Sequence, residues 1–461
     1  IMFGNILAGG TRLSRACCRK TVSDVRFGSI RRDFIRSQSY DRGLINQLIA
    51  NPVEWGLRQL LTRYFQYEGC KVSESLDVNV ALGPRSYHIS VVSNQFAQFA
   101  DTLETWMNQS PAYRNALADG SKTALIITDR NLATLHTPQL ENSLKSKDWK
   151  FETAIIEPGE KSKSLEVISG LYDKLVAMKA DRQTVLIAVG GGVTGDAAGF
   201  VAATYVRGLP FVQVPTSLLA HVDSSVGGKV GVNHPQAKNL IGAFYQPLGV
   251  FIDTSTLETL PVRDYRSGLA EVVKYGVILD SRFFHYLEQN IAALNQRDPD
   301  VLRKVIARSC ELKAEVVEQD EHERSGLRAI LNYGHTFAHA FEALCGYGEL
   351  MHGEAVSIGM IYASYLAEKL DLISHQETER QIHLLEALGL PVLLPKGTRL
   401  DADQIIDRMK LDKKTVGGKL RFVLPTSLGR VEVFKEIPES LVREVLDELA
   451  HPAASDGDFQ I

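Results

Sequence analysis

The chain has 461 residues, 44 % hydrophobic and 23 % charged, with 36 glycines; that length exceeds what one hydrophobic core supports, so two domains are expected, and the composition excludes a disordered or fibrous chain. A formal charge of -4 without a long lysine or arginine tract gives no nucleic-acid or membrane surface, while a basic pocket for an anionic metabolite stays compatible with it. No window approaches ~20 consecutive apolar residues, which excludes an ordinary transmembrane helix, and five cysteines (Cys17, Cys18, Cys70, Cys310 and Cys345) without metal-ligand spacing fit a reducing cytoplasm.

In chain order, the first forty residues stand apart. They carry Arg12, Arg15, Arg19, Lys20, Arg26, Arg31, Arg32 and Arg36 against only Asp24 and Asp33, a composition shared by organelle transit segments and by plain basic tails. Leu44, Leu48, Val53, Leu57 and Leu61 then suggest helix within residues 41–70, with no recognisable chemistry. From about residue 75 strands and helices alternate. Thr123 to Thr128, Thr184 to Val189, Phe211 to Thr216 and Gly249 to Asp253 are short apolar runs that fit buried parallel strands. After about residue 262 the period lengthens, and Ser267 to Leu279, Pro299 to Glu321, Thr336 to Leu344, Glu354 to Leu370 and His375 to Leu388 read as helices. Leu420 to Pro425 and Arg430 to Phe434 read as a hairpin. The expected fold class is α/β, an N-terminal nucleotide-binding α/β domain followed by a mainly α-helical metal-binding domain. The expected divisions are an extension at 1–70, domains at 71–261 and 262–455, and a tail at 456–461.

The run Gly190-Gly191-Gly192-Val193-Thr194-Gly195-Asp196 follows a predicted strand with G-x-G-x-x-G spacing. Such glycines let backbone amides approach a pyrophosphate at a helix N-terminus. The acidic residue expected about 20 positions on is missing, so Asp129, at the end of an earlier strand, is the alternative partner for ribose hydroxyls. A tight structural turn would look the same. Asp223-Ser224-Ser225-Val226-Gly227-Gly228-Lys229, continuing through Asn233 to Lys238 and Asn239, reads as a loop in which Lys229 and Lys238 neutralise phosphate and Asn239 gives a directed bond. A solvated loop is the competing reading.

His335 and His339, four apart, share a helical face, but Thr336 stands where an H-E-x-x-H motif keeps its glutamate. His352 and Glu271 are further candidates, and a Glu-His-His set with an open position is what a catalytic zinc site requires. Each residue alone has an ordinary packing or solvent role open to it.

These segments, with Lys238-Asn239, Glu271-Val272-Val273-Lys274, Gly326-Leu327-Arg328, Asn332-Tyr333-Gly334-His335-Thr336, His352-Gly353-Glu354 and Asp412-Lys413-Lys414, resemble in order and gaps the bacterial 3-dehydroquinate synthase family over about residues 75–450. The resemblance implies conversion of 3-deoxy-D-arabino-heptulosonate 7-phosphate to 3-dehydroquinate and phosphate in the shikimate route, with NAD and one divalent metal, zinc or cobalt, commonly in a homodimer. It implies Glu271, His335 and His352 as metal ligands, and Asp129, Glu160, Lys163, Gly191, Gly192, Asp196 and Thr216 around NAD. Lys229, Lys238, Asn239, Lys274, Lys313, Arg328, Asn332, His339 and Lys413 would line the pocket of a phosphorylated small-molecule substrate, with Arg207 at its phosphate. Lys229, Lys238, Lys274, Arg328, Asn332 and His339 are the catalytic candidates. His221 stands in place of the family's common Gln and Ala237 in place of its usual Gly.

The implied chemistry joins these groups: hydride leaves to NAD, the resulting ketone acidifies its neighbouring proton, phosphate departs by β-elimination, the hydride returns and an aldol addition closes the ring. Related sugar-phosphate cyclases run the same sequence on neutral sugar phosphates, and distant metal-dependent alcohol dehydrogenases share the cofactors. A substrate carboxylate calls for the basic and amide set Lys313, Arg328 and Asn332.

Overall fold

The computed structural model describes residues 75–450 apart from 115–116, 118–121, 347–348, 396–397, 399 and 413–419. The basic leader, the helical reading of residues 41–70, Lys413 and the tail from 456 lie outside the described residues. The sheet consists of β1 (Leu76–Val80), β2 (Tyr87–Val92), β3 (Thr123–Asp129), β4 (Lys150–Ile156), β5 (Val185–Gly190), β6 (Phe211–Pro215) and β9 (Gly249–Asp253), in the order β1-β2-β9-β6-β5-β3-β4. Only β1 and β2 pair antiparallel; the others are parallel.

The parallel strands are buried on both faces because their apolar side chains alternate between two helical layers. Ala124 and Ile126 of β3 pack with α1 (Phe99–Gln109) and α2 (Thr137–Lys145). Leu125 and Ile127 point the other way, to α3 (Leu165–Ala177) and α4 (Gly192–Thr204). From β3 the chain steps outward to β4, then returns across β3 to β5. The direction of winding therefore reverses between β3 and β5, and the crevice beyond their C-terminal ends is where open α/β sheets take ligands.

The segment read as a loop after Gly228 is instead an antiparallel hairpin, β7 (Lys229–His234) and β8 (Ala237–Phe244). Half of its residues are apolar but Leu240 and Phe244 are exposed, and its ordering comes from outside: Val230 and Val232 are buried against α4. Strand β4 has no such run to mark it, since its exposed Lys150 and Glu152 interrupt the apolar residues.

The remaining chain is mainly helical: α5 (Val262–Leu279), α6 (Ser281–Gln289), α7 (Ile291–Asn295), α8 (Pro299–Gln319), α9 (His335–Leu344), α10 (His352–Lys369), α11 (His375–Ala387), α12 (Ala402–Asp412) and α13 (Glu439–Ala450), plus the hairpin β10 (Arg421–Ser427) and β11 (Arg430–Lys435). Local chemistry sets their starts. Asp280 accepts from Arg282 and Phe283 N–H at the start of α6, Asp298 caps α8, and Ser374 with Glu377 forms a capping box on α11. The central pair α5 and α10 is buried along most of its length.

Gly199 of α4 faces β7 so closely that a Cβ would lie 2.3 Å from Val230 Cγ1. Gly199→Ala is expected to destabilise the protein by roughly 1–3 kcal/mol, the range for overpacking. A urea midpoint unchanged from the parent would show that the hairpin yields without cost.

Candidate active site

Gly190 ends β5, Gly191 precedes α4 and Gly192 begins it. A Cβ on Gly190 would come within 2.5 Å of Thr194, so the turn closes only around a bare backbone. No side chain caps the start of α4, which leaves its first N–H groups available to an anion in the crevice. Thr216 N–H donates to the Gly190 carbonyl at 3.1 Å, bringing the end of β6 alongside. Across the switch point, the Asp129 carboxylate accepts from Asn131 and Leu132 N–H at 2.8 and 3.2 Å.

Lys163 fastens the hairpin to this crevice. Its buried ammonium donates to Asp196 Oδ2 at 2.7 Å and Asn239 Oδ1 at 2.6 Å, with Glu160 Oε1 at 3.6 Å. Asn233 donates to Glu160 at 2.7 Å and accepts from Asn239 N–H at 2.8 Å. Burial pushes the Asp196 carboxyl pKa up, partly countered by Lys163. Five predicted or neighbouring polar residues thus share one network.

A five-residue π turn, Ala220–Ser224, carries the crevice toward the helices. Ser224 packs on Gly192, while Asp223 accepts from the Lys313 ammonium at 2.8 Å through Oδ1 and 2.5 Å through its carbonyl, and from the Tyr275 hydroxyl at 2.9 Å. Burial alone would raise the Asp223 carboxyl, but Lys313 and then Lys274 hold it far below the usual range. Burial pulls the Lys313 ammonium down, with Asp223 opposing. Arg328 is 3 % exposed; it donates to the Glu321 carbonyl at 2.9 Å and lies over the Phe244 ring at 6.0 Å. Gly227, at φ +103°, must be glycine twice over, because a Cβ would also meet Arg328 Nη2 at 2.7 Å. Lys229 pairs with Glu323.

His221, the departure from the family pattern, is fully buried with Nε2 2.9 Å from the Pro215 carbonyl, and burial lowers its pKa to about 4. Thr256 Oγ1 also lies 3.3 Å from the same nitrogen, so the ring is held by packing and polar contact within the fold. Lys238, Asn239 and Asn332 are exposed. Arg207 is exposed in a strained turn where Val206 and Arg207 have φ of 44° and 69°, a costly conformation for a β-branched residue.

Glu271, in the middle of α5, and His335 and His352, the first residues of α9 and α10, offer ligand atoms all within 4.8 Å of one another. His335 Nε2 and His352 Nε2 each lie 3.6 Å from Glu271 Oε1. Lys274, one turn along α5, pairs with Glu271 Oε2 and is 2 % exposed. Burial opposes a charge on Glu271, but Lys274, His352 and His335 hold its pKa at about 2. Burial and then Lys274 depress His335 to about 3, so its ring is neutral. His352 goes the other way: Glu271 and Glu342 outweigh burial and raise it to about 10.

This donor set fits a divalent ion. Glu271 Oε2 faces Lys274, but Oε1 is buried with no hydrogen-bond partner among the described residues, a cost a cation would remove. The His335 Nδ1 lies 3.0 Å from the Tyr333 carbonyl, which fixes the proton there and leaves Nε2 as the free lone pair. His339, with its ring 5.5 Å from that of His335, stands beside the cluster and is not part of it. Helical spacing alone had joined these two histidines. Asp223, Tyr275, Glu323 and Glu342 carried no assigned role in the sequence reading; only Glu342 had a positional signal, seven residues after His335 on the same helical stripe.

A glycine-lined crevice at a switch point and a Glu-His-His cluster with a buried carboxylate, carried by one chain, mark a nucleotide- and metal-dependent enzyme class. The chain belongs to the 3-dehydroquinate synthase family, whose N-terminal model matches residues 153–267 and whose C-terminal model matches residues 268–415. A 3-dehydroquinate synthase of Desulforamulus reducens is 51 % identical over 371 residues, 80 % of this chain and 99 % of that one. Among solved structures, 2-epi-5-epi-valiolone synthase from Streptomyces hygroscopicus subsp. jinggangensis, with NAD+ and Zn2+ bound, is similar at TM-score 0.69 and 29 % identity, covering 83 % of this chain and all of its own. A 2-deoxy-scyllo-inosose synthase complexed with carbaglucose-6-phosphate, NAD+ and Co2+ is similar at TM-score 0.70 and 26 % identity, covering 81 % of this chain and 100 % of that one.

The α5–α10 crossing sets the cluster's dimensions. A Cβ on Gly353, next to His352, would lie 1.8 Å from the Ser267 carbonyl oxygen of α5. Gly353→Ala is expected to destabilise by at least roughly 1–3 kcal/mol and to reduce bound metal per folded chain. Metal content equal to the parent's would show that the crossing does not hold His352 in place.

Proposed function

We propose that this protein converts 3-deoxy-D-arabino-heptulosonate 7-phosphate to 3-dehydroquinate and inorganic phosphate, using NAD catalytically and one divalent metal, zinc or cobalt. The observation that carries this reading is the Glu271, His335 and His352 cluster abutting buried Lys274, in a chain 51 % identical to a 3-dehydroquinate synthase across nearly all of that relative's length. When bound, NAD supplies a hydride acceptor that is regenerated within the turnover, and the ion supplies Lewis-acid stabilisation of developing negative charge on oxygen.

The chain's own residues do the positioning. On the cofactor side, Gly191 and Gly192 admit the pyrophosphate to the start of α4, Asp129 and Glu160 meet ribose hydroxyls, and Lys163, Asp196 and Thr216 complete the wall. On the substrate side, Lys229, Lys238 and Arg207 neutralise the phosphate and favour its departure. Lys313, Arg328 and Asn332 receive the carboxylate, the feature that separates this substrate from neutral sugar phosphates. Lys274, Asn239, His339 and Lys413 hold the hydroxyls in register, which restricts the intermediate to a conformer able to close its ring. The substrate's phosphate serves as acceptor for the proton lost before elimination.

The same reading divides the body into a cofactor domain at 71–261 and a metal- and substrate-binding domain at 262–455. It takes the working unit as a homodimer, with exposed Arg207 reaching a phosphate site across the subunit boundary, and assigns it to a reducing cytoplasm from its cysteine usage. No helix among the described residues is long and apolar enough to cross a membrane.

Purified protein, the heptulosonate phosphate and catalytic NAD should give equal amounts of phosphate and 3-dehydroquinate without net NADH. Accumulating NADH would instead identify a dehydrogenase, and turnover restricted to neutral sugar phosphates a different cyclase. His335→Ala is expected to lower metal affinity and turnover by more than about 100-fold, beyond the range for an outer-sphere residue. Parental values for both in folded mutant protein would remove His335 from the ligand set.

A further inference from the structure

Helix α9 carries a third chemical group on the stripe that begins with its histidines. His335, His339 and Glu342 are spaced four and then three residues apart, so all three rise along one face of the helix. His335 belongs to the Glu-His-His cluster, and His339 stands beside it. Glu342 Oε1 lies 3.4 Å from His352 Nδ1, and the ring of His352 turns its other nitrogen, Nε2, toward Glu271 Oε1 at 3.6 Å. The imidazole is therefore held between two carboxylates, one on its ligand side and one behind it.

The other cluster histidine has the same arrangement with a different acceptor. His335 Nδ1 lies 3.0 Å from the Tyr333 carbonyl, and Tyr333 is itself anchored, its hydroxyl 2.9 Å from the Met360 carbonyl and 2.8 Å from Gln381 Oε1. An imidazole that donates through Nδ1 must offer its lone pair at Nε2, and a carboxylate behind the ring fixes the orientation and raises the donor strength of that lone pair. Tyr333 does this for His335 through backbone. Among the described residues, His352 at the start of α10 has the Glu342 side chain behind it.

We infer that Glu342 is a positioning residue for the metal centre, which orients His352 and strengthens it as a ligand from the face opposite the ion. This rests on the reading of Glu271, His335 and His352 as the ligand set. Glu342 is well placed for the task, because it rides on the same rigid helix as His335. The orientation of one ligand is thereby tied to the position of another.

The test is Zn2+ affinity of the full-length protein, by competition with a chromophoric chelator, together with the visible spectrum of the Co2+-loaded form. Glu342→Ala is expected to weaken Zn2+ binding about 10–100-fold and to shift the Co2+ bands, with thermal stability of the metal-free protein unchanged. Glu342→Gln, whose side-chain oxygen still accepts from Nδ1–H, should recover part of the affinity, and it decides the matter if the alanine variant does not fold. Parental Zn2+ affinity and Co2+ spectrum in the Glu342 variants would overturn the inference. His352→Ala in the same titration separates the two levels: if it too kept parental affinity, the ligand set itself would be wrong, whereas its loss beside an unaffected Glu342→Ala would remove only Glu342.

Discussion

Two opposite charges one helical turn apart, Glu271 and Lys274, sit in the interior of α5 with almost no contact with water. Each depends on the other at that depth, since removing one member of a buried pair typically costs about 3–5 kcal/mol. Their mutual attraction is what permits a carboxylate to face His335 and His352 from inside a helical core. It also extends the charge alternation: Lys274 and Lys313 both hold down the pKa of Asp223, the residue on the π turn that Lys313 contacts directly. Negative and positive groups therefore alternate from the metal-ligand cluster to the edge of the nucleotide crevice. The low-dielectric setting makes each of these charges more effective toward a substrate than it would be in water.

Much of this arrangement is legible in the sequence where one segment carries its own signal. β3, β5, β6 and β9 are continuous apolar runs because helices cover both faces of the sheet, and α5 and α8 to α11 show their period plainly. The β7–β8 hairpin does not, because its burial depends on α4 and its lysines and glycines look like loop chemistry. The cluster divides in the same way. Glu271, His335 and His352 come together only through the packing of three helices, which no spacing rule contains; the resemblance to a family named them, and the fold brings their ligand atoms together. His339 shares a helical face with His335 but has no place in the cluster, so helical period alone does not separate a ligand from its neighbour. Asp223 has no local signal because its partners, Lys313 and Tyr275, lie on helices distant in sequence.

The topology makes the two halves of the site meet. Reversal of winding at β3 and β5 opens a crevice at the strand ends, and the chain leaving β6 at Pro215 reaches, from Ala220, the π segment that carries Asp223. A π turn widens the helix by a residue, and such turns are common at functional sites. Here it lets adjacent residues face different ways: Ser224 packs on the glycine turn while Asp223 meets the helices.

The contact of Gly353 with Ser267 has a consequence for the choice of ion. A second close approach on the same helix, Gly359 against the Gly334 carbonyl, where a Cβ would fall 2.2 Å away, seats α10 on the turn that starts α9. Helix α10 therefore rests main chain to main chain on both of its ligand-bearing neighbours. Backbone contact therefore fixes how closely these helices approach, while the ligand side chains keep their own rotamer freedom. A change of preferred cation would then have to come from the donor atoms and their rotamers rather than from a closer approach of the helices.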